Sequence, residues 1–391
     1  MRALLKRFFQ GNTILWMLFL ALVVFSFLPV FSASRNGFQY HVFFALIGIG
    51  LAVVVHRIPS KFYGVAAFLG LFVVTALLAY TLAQGGTIDG ANAARWFRIA
   101  GVGFQPSALA NIVLLTHLSR VLTKKNPPKT LREGLWSVVL PLGLICGLVL
   151  PANLSTAALI FINASVVLWT ANFPRKAYFQ LMGIALGVLL LFVLTAKAFP
   201  DLFPNRVDTW ISRVENFAGT KEDADTYQID LAKMAIAQGH LVGQGPGRGI
   251  QKNFLPQKNT DFIYALVVEE WGLLGGGTLV LVYVWIFLQS VRVGQRATNA
   301  TGHVLAIGLG FSVVFQAFTN MMVAVGLFPV TGQTLPLVSE GGSSILMTCL
   351  AMGMILGISR GEGEEAEADG AFALGGSESL LSKEPNEEPS L

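Results

Sequence analysis

Leu255-Pro256-Gln257-Lys258-Asn259-Thr260-Asp261-Phe262-Ile263 runs directly into Tyr264-Ala265-Leu266-Val267-Val268-Glu269-Glu270-Trp271-Gly272, and the apolar run continues to about residue 289. A stretch of that length and hydropathy reads as a membrane-spanning helix, with Asp261 at its lip. A carboxylate at the bilayer boundary avoids most of the cost of burial, which reaches about 2.5–3.5 kcal/mol at a helix centre. An ionisable group so placed is a candidate functional residue. Its neighbours Gln257 and Asn259 are amides and take up no proton at neutral pH. Base chemistry on this segment therefore falls to Asp261.

The rest of the chain repeats the apolar theme. It is 54% hydrophobic and 13% charged, about half the charge of a soluble domain. Ten apolar runs, at about 13–33, 41–57, 62–83, 105–123, 135–152, 154–173, 178–198, 262–289, 303–327 and 337–358, predict an all-α polytopic membrane protein of ten transmembrane helices. The first run is read as a span and not as a cleaved signal peptide, because the apolar chain resumes after a short polar turn. Residues 1–360 form the predicted membrane domain, with a large extracytoplasmic loop, 199–261, between spans seven and eight. Residues 361–391, rich in Glu, Gly and Ser, are predicted to be a disordered tail.

Orientation follows the Lys and Arg residues. Arg2, Lys6, Arg7, Arg57, Lys61, Arg120, Lys124, Lys125, Lys129, Arg132, Arg175, Lys176, Arg292, Arg296 and Arg360 gather on one side, against Arg35, Arg95 and Arg98 in the short loops opposite. The crowded side is cytoplasmic, which places both termini inside and the 199–261 loop outside. The net charge of +5 is largely this bias, so nucleic acid is not an expected partner. Cys146 and Cys349 lie within apolar runs and imply no disulfide framework. The five His residues show no metal-ligand spacing, so no metal site is predicted.

Several polar groups carry more than one reading. Gly243, Gly245, Gly247 and Gly249, with Arg248 and Lys252, resemble a phosphate-cradling loop, or equally a plain glycine turn. Residues 227–240 have helical spacing with a stop at Gly239. Ser312, Gln316, Thr319 and Asn320 draw one polar stripe down span nine, suited to interhelical hydrogen bonds. Glu340, Ser344 and Thr348 share a face of span ten. Counted at about 100° per residue, Glu269 and Glu270 cannot both face the cavity of Asp261. We expect a structural acid there, satisfied by a neighbouring helix through Gln316 or Asn320. Arg95 and Trp96 suit either an interfacial anchor or a substrate contact.

Taken in order, Ala94-Arg95-Trp96, Phe104-Gln105-Pro106-Ser107, Gly243-Gln244-Gly245, Leu255-Pro256 through Asp261-Phe262-Ile263, Glu269-Glu270-Trp271-Gly272, Gly326 to Gly332 and Leu335 to Ser344 resemble the SEDS family of bacterial ten-span peptidoglycan glycosyltransferases. The resemblance covers about residues 10–360. It implies polymerisation of lipid II, the undecaprenyl-diphosphate-linked disaccharide-pentapeptide, into β-1,4 glycan on the outer face of the bacterial cytoplasmic (inner) membrane. It places the catalytic Asp on Asp261 and a functional Trp on Trp96. Substrate-binding candidates are Arg95, Trp96, Gln105, Ser107, Arg248, Lys252, Lys258, Ser343 and Ser344; Glu269, Glu270 and Glu340 are read as structural acids. It implies a class B penicillin-binding protein and divisome membrane proteins as partners. No cofactor is evident, and a divalent cation, Mg or Mn, stays open.

The chain departs from the family pattern in three places. The usual Gln-Pro-Ser-Glu-x-x-Lys reads Gln105-Pro106-Ser107-Ala108-Leu109-Ala110-Asn111. The usual Pro-Glu-x-His-Thr-Asp reads Pro256-Gln257-Lys258-Asn259-Thr260-Asp261, and Glu340 replaces a Tyr. The openings Val24 to Ser34 and Val55 to Pro59, with Pro151 to Ala157, look closer to the division-type member of the Bacteroidetes than to the elongation-type member. An elongation role with the same chemistry, or a lipid II flippase, are the alternatives.

Overall fold

The computed structural model describes residues 10–84, 87–88, 91–92, 97–99, 102–198 and 224–360. Side-chain caps open several of its helices. Asn12 accepts from the Leu15 amide, Ser34 from Gly37, Asn153 from Thr156 and Asn299 from Gly302, each satisfying a donor that the first helical turn leaves free. These caps and Pro106 set the starts of α1 (Thr13–Ala33), α2 (Arg35–Arg57), α4 (Pro106–Leu122), α6 (Leu154–Thr170) and α10 (Ala300–Ala324). The others are α3 (Tyr63–Gln84), α5 (Leu135–Val149, beginning with a π turn), α7 (Arg175–Ala198), α8 (Ala224–Gly239), α9 (Ile263–Arg296) and α11 (Gly342–Arg360). Two short antiparallel hairpins, β1 (Thr87–Ile88) with β2 (Ala91–Asn92) and β3 (Phe97–Ile99) with β4 (Val102–Phe104), join α3 to α4.

Apolar helices therefore stand at all ten expected places. Seven are long and apolar enough to cross a bilayer, while α4, α5 and α6 are shorter. Burial sorts them into layers: 72% of the apolar window of α10 and 78% of that of α11 is enclosed, against 11% for α7. The first pair forms the centre with α4 and α6, while Leu186, Leu190 and Leu191 of α7 stay exposed, as lipid-facing residues do.

Helix α9 is not one rod. Gly272 has φ 68° and ψ −174°, a backbone state open essentially to glycine alone, and it splits the helix. The segment after α8 packs into the break. The Leu273 and Leu274 amides donate to the His240 and Leu241 carbonyls, and the Gln244 and Gly245 amides donate to the Glu269 and Glu270 carbonyls. A Cβ on Gly243 would sit 2.3 Å from the Glu270 oxygen, and one on Gly272 2.3 Å from the Leu241 oxygen. The piece from Leu273 to Arg296 alone is about 36 Å long at 1.5 Å per residue, enough for a ~30 Å hydrocarbon core. The span thus needs no contribution from the segment that carries Glu269 and Glu270.

That short segment, α8 and the end of α10 share a satellite core: Leu231, Ala232, Ala235, Leu255, Phe262, Ala265, Val323, Ala324 and Val330. Leu255 and Phe262 flank the Asp261 turn on both sides and bind it to this core.

Candidate functional site

Asp261 precedes α9 on a turn, so the helical angle between it and Glu269 does not apply. The Thr260, Asp261 and Phe262 amides all donate to the Gln257 carbonyl, at 3.1, 3.1 and 3.3 Å. Gln257 holds φ 50° to allow this, an uncommon state for a residue with a Cβ. Contacts from the far side fix the turn. Asn320 Nδ2 donates to the Asp261 carbonyl (2.8 Å) and to that of Gln333 (2.7 Å). Ser339 Oγ donates to the Thr260 carbonyl at 2.6 Å. Asn259 Nδ2 donates to Glu340 Oε2 at 2.6 Å, and the Glu340 amide returns a bond to the Asn259 carbonyl at 2.8 Å.

The turn forms one wall of a cavity of about 430 Å³ at the end of the bundle where α4, α6, α9 and α11 begin and α10 ends. Gln105, Ser107, Asp261, Glu340, Ser343 and Ser344 all line it, drawn together from three separate stretches of sequence. Ala108 and Asn111, where the family's Glu and Lys are absent, line it too. In their place is a neutral polar cluster: Asn111 Nδ2 donates to Ser312 Oγ (2.7 Å), and Asn163 Nδ2 reaches both Asn111 Oδ1 (3.2 Å) and Ser312 Oγ (3.0 Å). Higher up, Gln333 bonds Thr156, Gln316 bonds the Thr334 carbonyl, and Thr334 bonds Ser344. The site is one buried carboxylate and one half-buried carboxylate in a wall of hydroxyls and amides, a lining suited to a hydroxylated ligand.

Arg248, Lys252 and Lys258 stand apart from that lining. Arg248 is exposed. The Lys252 ammonium donates to the Gly247 carbonyl and to Ser32 Oγ, and the Lys258 ammonium donates to the Lys252 carbonyl. Arg95 and Trp96 lie outside the described residues.

The two adjacent acids have other partners than we expected. Glu269 is fully buried, and its Oε1 accepts from the amides of Ile250 (2.6 Å) and Gln251 (2.9 Å). Glu270 accepts from Ser32 Oγ of α1. Gln316 and Asn320, the partners inferred from sequence, serve the Thr334 loop and the Asp261 turn instead. The glycine-rich loop likewise commits its amides at 244, 245, 250 and 251 to the α9 segment. Gly243 and Gly249 are needed for close packing there, since a Cβ on Gly249 would meet Glu269 Oε2 at 2.6 Å.

Sequence reasoning singled out Asn320 as part of a stripe, without its role. Ser339 and Gln333 passed unmarked, although polar groups beside an apolar run are the signal that could have found them.

The profile of the FtsW/RodA/SpoVE cell cycle proteins matches residues 6–364. The chain belongs to this family. A relative from Geobacter sulfurreducens (strain DL-1 / KN400), named probable peptidoglycan glycosyltransferase FtsW, is 32% identical over 372 residues, covering 90% of this chain and 96% of its own. Proteins of the same name from Enterococcus hirae and Escherichia coli O6:H1 are 31% and 29% identical, covering 87% and 84% of this chain and 90% and 77% of their own. Among solved structures, a chain of a peptidoglycan synthase complex superposes with TM-score 0.72 at 24% identity, covering 90% of this chain and 98% of that one. The rod shape determining protein RodA of Thermus thermophilus gives 0.65 at 23%, with coverage of 90% and 97%. These likenesses agree with an all-α, multi-pass membrane protein of the SEDS type.

Proposed function

We propose that this protein is a peptidoglycan glycosyltransferase that polymerises lipid II into β-1,4 glycan strands on the outer face of the inner membrane, in the division role of FtsW. The observation that carries the reading is Asp261, a buried carboxylate on a braced turn, in the wall of a polar cavity at one end of the bundle. The Lys and Arg distribution puts that end outside and both termini inside, with α4, α5 and α6 crossing as the remaining three of ten spans.

Asp261 removes the proton from the acceptor sugar's 4-hydroxyl as that oxygen attacks the donor's anomeric carbon. The bond from this carbon to the lipid diphosphate breaks, and the diphosphate leaves with the electron pair. Attack from the opposite face inverts an α-linked donor into a β-linked product. Arg95, Arg248, Lys252 and Lys258, the last three outside the cavity lining, are the candidates to balance the departing charge. Mg or Mn accompanying the diphosphate would add to that charge balance. A class B penicillin-binding protein would cross-link the emerging strand beside other divisome membrane proteins.

A flippase reading drew its support from Glu269 and Glu270 as acids within a span. Both are held by the loop and by α1, which removes that support. The deciding experiment is lipid II polymerisation by purified protein, with and without the cognate penicillin-binding protein. Asp261→Asn should lower the rate by about 10² or more while the protein keeps its amount and its fold. Near-wild-type polymerisation by that variant would sink the mechanism, and loss of lipid flipping in its place would favour the transporter.

A further inference from the structure

We infer that Glu340 is a positioning residue for Asp261, acting through Asn259. The inference rests on the reading of Asp261 as the base, and it explains an acid that the reaction itself does not call for.

Three facts place Glu340 in this role. It grips Asn259 twice, through Oε2 on the side-chain amide (2.6 Å) and through its own amide on the carbonyl (2.8 Å). Asn259 lies within the turn whose amides converge on Gln257, two residues before Asp261, so a shift at 259 is carried to 261 by the backbone. The carboxylate is also held from behind. A Cβ on Gly37 would stand 2.1 Å from Glu340 Oε2, so the first turn of α2 lies directly against it. Glu340 therefore packs against α2 while it bonds the turn, and Asn320 near the end of α10 and Ser339 just before α11 bond the turn as well.

The chemistry of the pair is specific. The side-chain amide of Asn259 is a donor and the carboxylate an acceptor, and a charged acceptor makes the stronger bond. Either residue alone leaves the other without this partner. The backbone bond survives every substitution at 340 except proline, so the side-chain bond is the part that mutation can read.

The test combines kinetics with exchange. Glu340→Ala and Asn259→Ala should each lower kcat about tenfold with KM within about twofold. The double variant should be no slower than the slower single, because both remove one bond. Glu340→Gln, which can still accept from Asn259, should recover to within about threefold of wild type. Gly37→Ala, on a residue outside the cavity wall, should reproduce the kcat loss by displacing the carboxylate. Amide hydrogen exchange gives an arm independent of activity: both Ala variants should speed exchange at Thr260, Asp261 and Phe262 and leave α4 unchanged.

Losses that multiply in the double variant would overturn the inference, as would a raised KM at constant kcat, which would make Glu340 a substrate contact. Unchanged exchange at the turn would overturn it as well. If exchange behaves as stated while wild-type protein polymerises nothing, the positioning role stands and the glycosyltransferase reading fails. Where an Ala variant does not fold, Glu340→Gln and Gly37→Ala decide: loss in the second with recovery in the first supports the role, and equal activity in both refutes it.

Discussion

Gly272→Ala tests the broken helix, because the structure leaves the variant no inexpensive response. At φ 68° and ψ −174° a residue with a Cβ carries strain of about 1–3 kcal/mol. The new methyl would also stand 2.3 Å from the Leu241 oxygen and 2.5 Å from the Gly243 nitrogen, both backbone atoms that no rotamer can move. The loop could swing away, but four backbone bonds would go with it, those from Leu273, Leu274, Gln244 and Gly245. At a net of about 0.5–1.5 kcal/mol each, that costs about 2–6 kcal/mol, and it also removes the donors to buried Glu269. Either route costs about 2 kcal/mol or more. In a chain of this size, at about 2.1 cal/mol/K of unfolding entropy per residue, the melting temperature should fall by about 2 °C or more. Thermal unfolding of purified protein in detergent measures this. Gly277→Ala is the control: it lies in the same helix with open space around its missing Cβ, and it should be neutral or gain up to about 1 kcal/mol. A Gly272→Ala protein that melts with the wild type would mean the loop is not seated in the break.

Glu269→Leu should destabilise by about 1–3 kcal/mol or more, since the buried Gln251 amide and the part-buried Ile250 amide lose their acceptor; Glu269→Gln should lose less than half as much, and equal losses in thermal unfolding would show that the charge matters and not the acceptor. Trp96→Ala should reach the membrane in normal amount with sharply reduced polymer yield, and normal yield would return Trp96 to an anchoring role. Removing residues 361–391 should leave polymerisation in vitro within about twofold, and a loss beyond tenfold, about 1.4 kcal/mol, would give the tail a part in the active state.

Much of the fold could be read ahead of the structure, because lipid selects long apolar runs and little else. The helix at 224–239 followed from its spacing and the stop at Gly239. Asp261 stood out because a carboxylate beside a span requires a reason. The break at Gly272 could not be read, since one glycine among Gly272, Gly275, Gly276 and Gly277 carries no mark of its dihedral angles. The partners of Glu269 were hidden for a related reason: they are backbone amides, which every residue but proline possesses. Side-chain patterns can nominate an acid's side-chain partner, and here they nominated Gln316 and Asn320 wrongly. The same blindness hid the helix–loop contact that the small size of Gly243 and Gly249 serves.

The trio Asn111, Asn163 and Ser312 has a consequence for the membrane itself. Asn111 and Ser312 line the cavity and Asn163 bonds to both, so the trio is made of uncharged groups bonded to one another. About 7–11 Å further along the same helices, at 1.5 Å per residue, the enclosed side chains are Leu118, Leu168 and Leu305. The cavity is a blind well. Its polar lining opens toward one end, while the fully enclosed leucines below belong to one apolar core, which is a poor path for protons or ions. A cell that holds a voltage across this bilayer can thus keep an aqueous workshop sunk into its membrane without a leak.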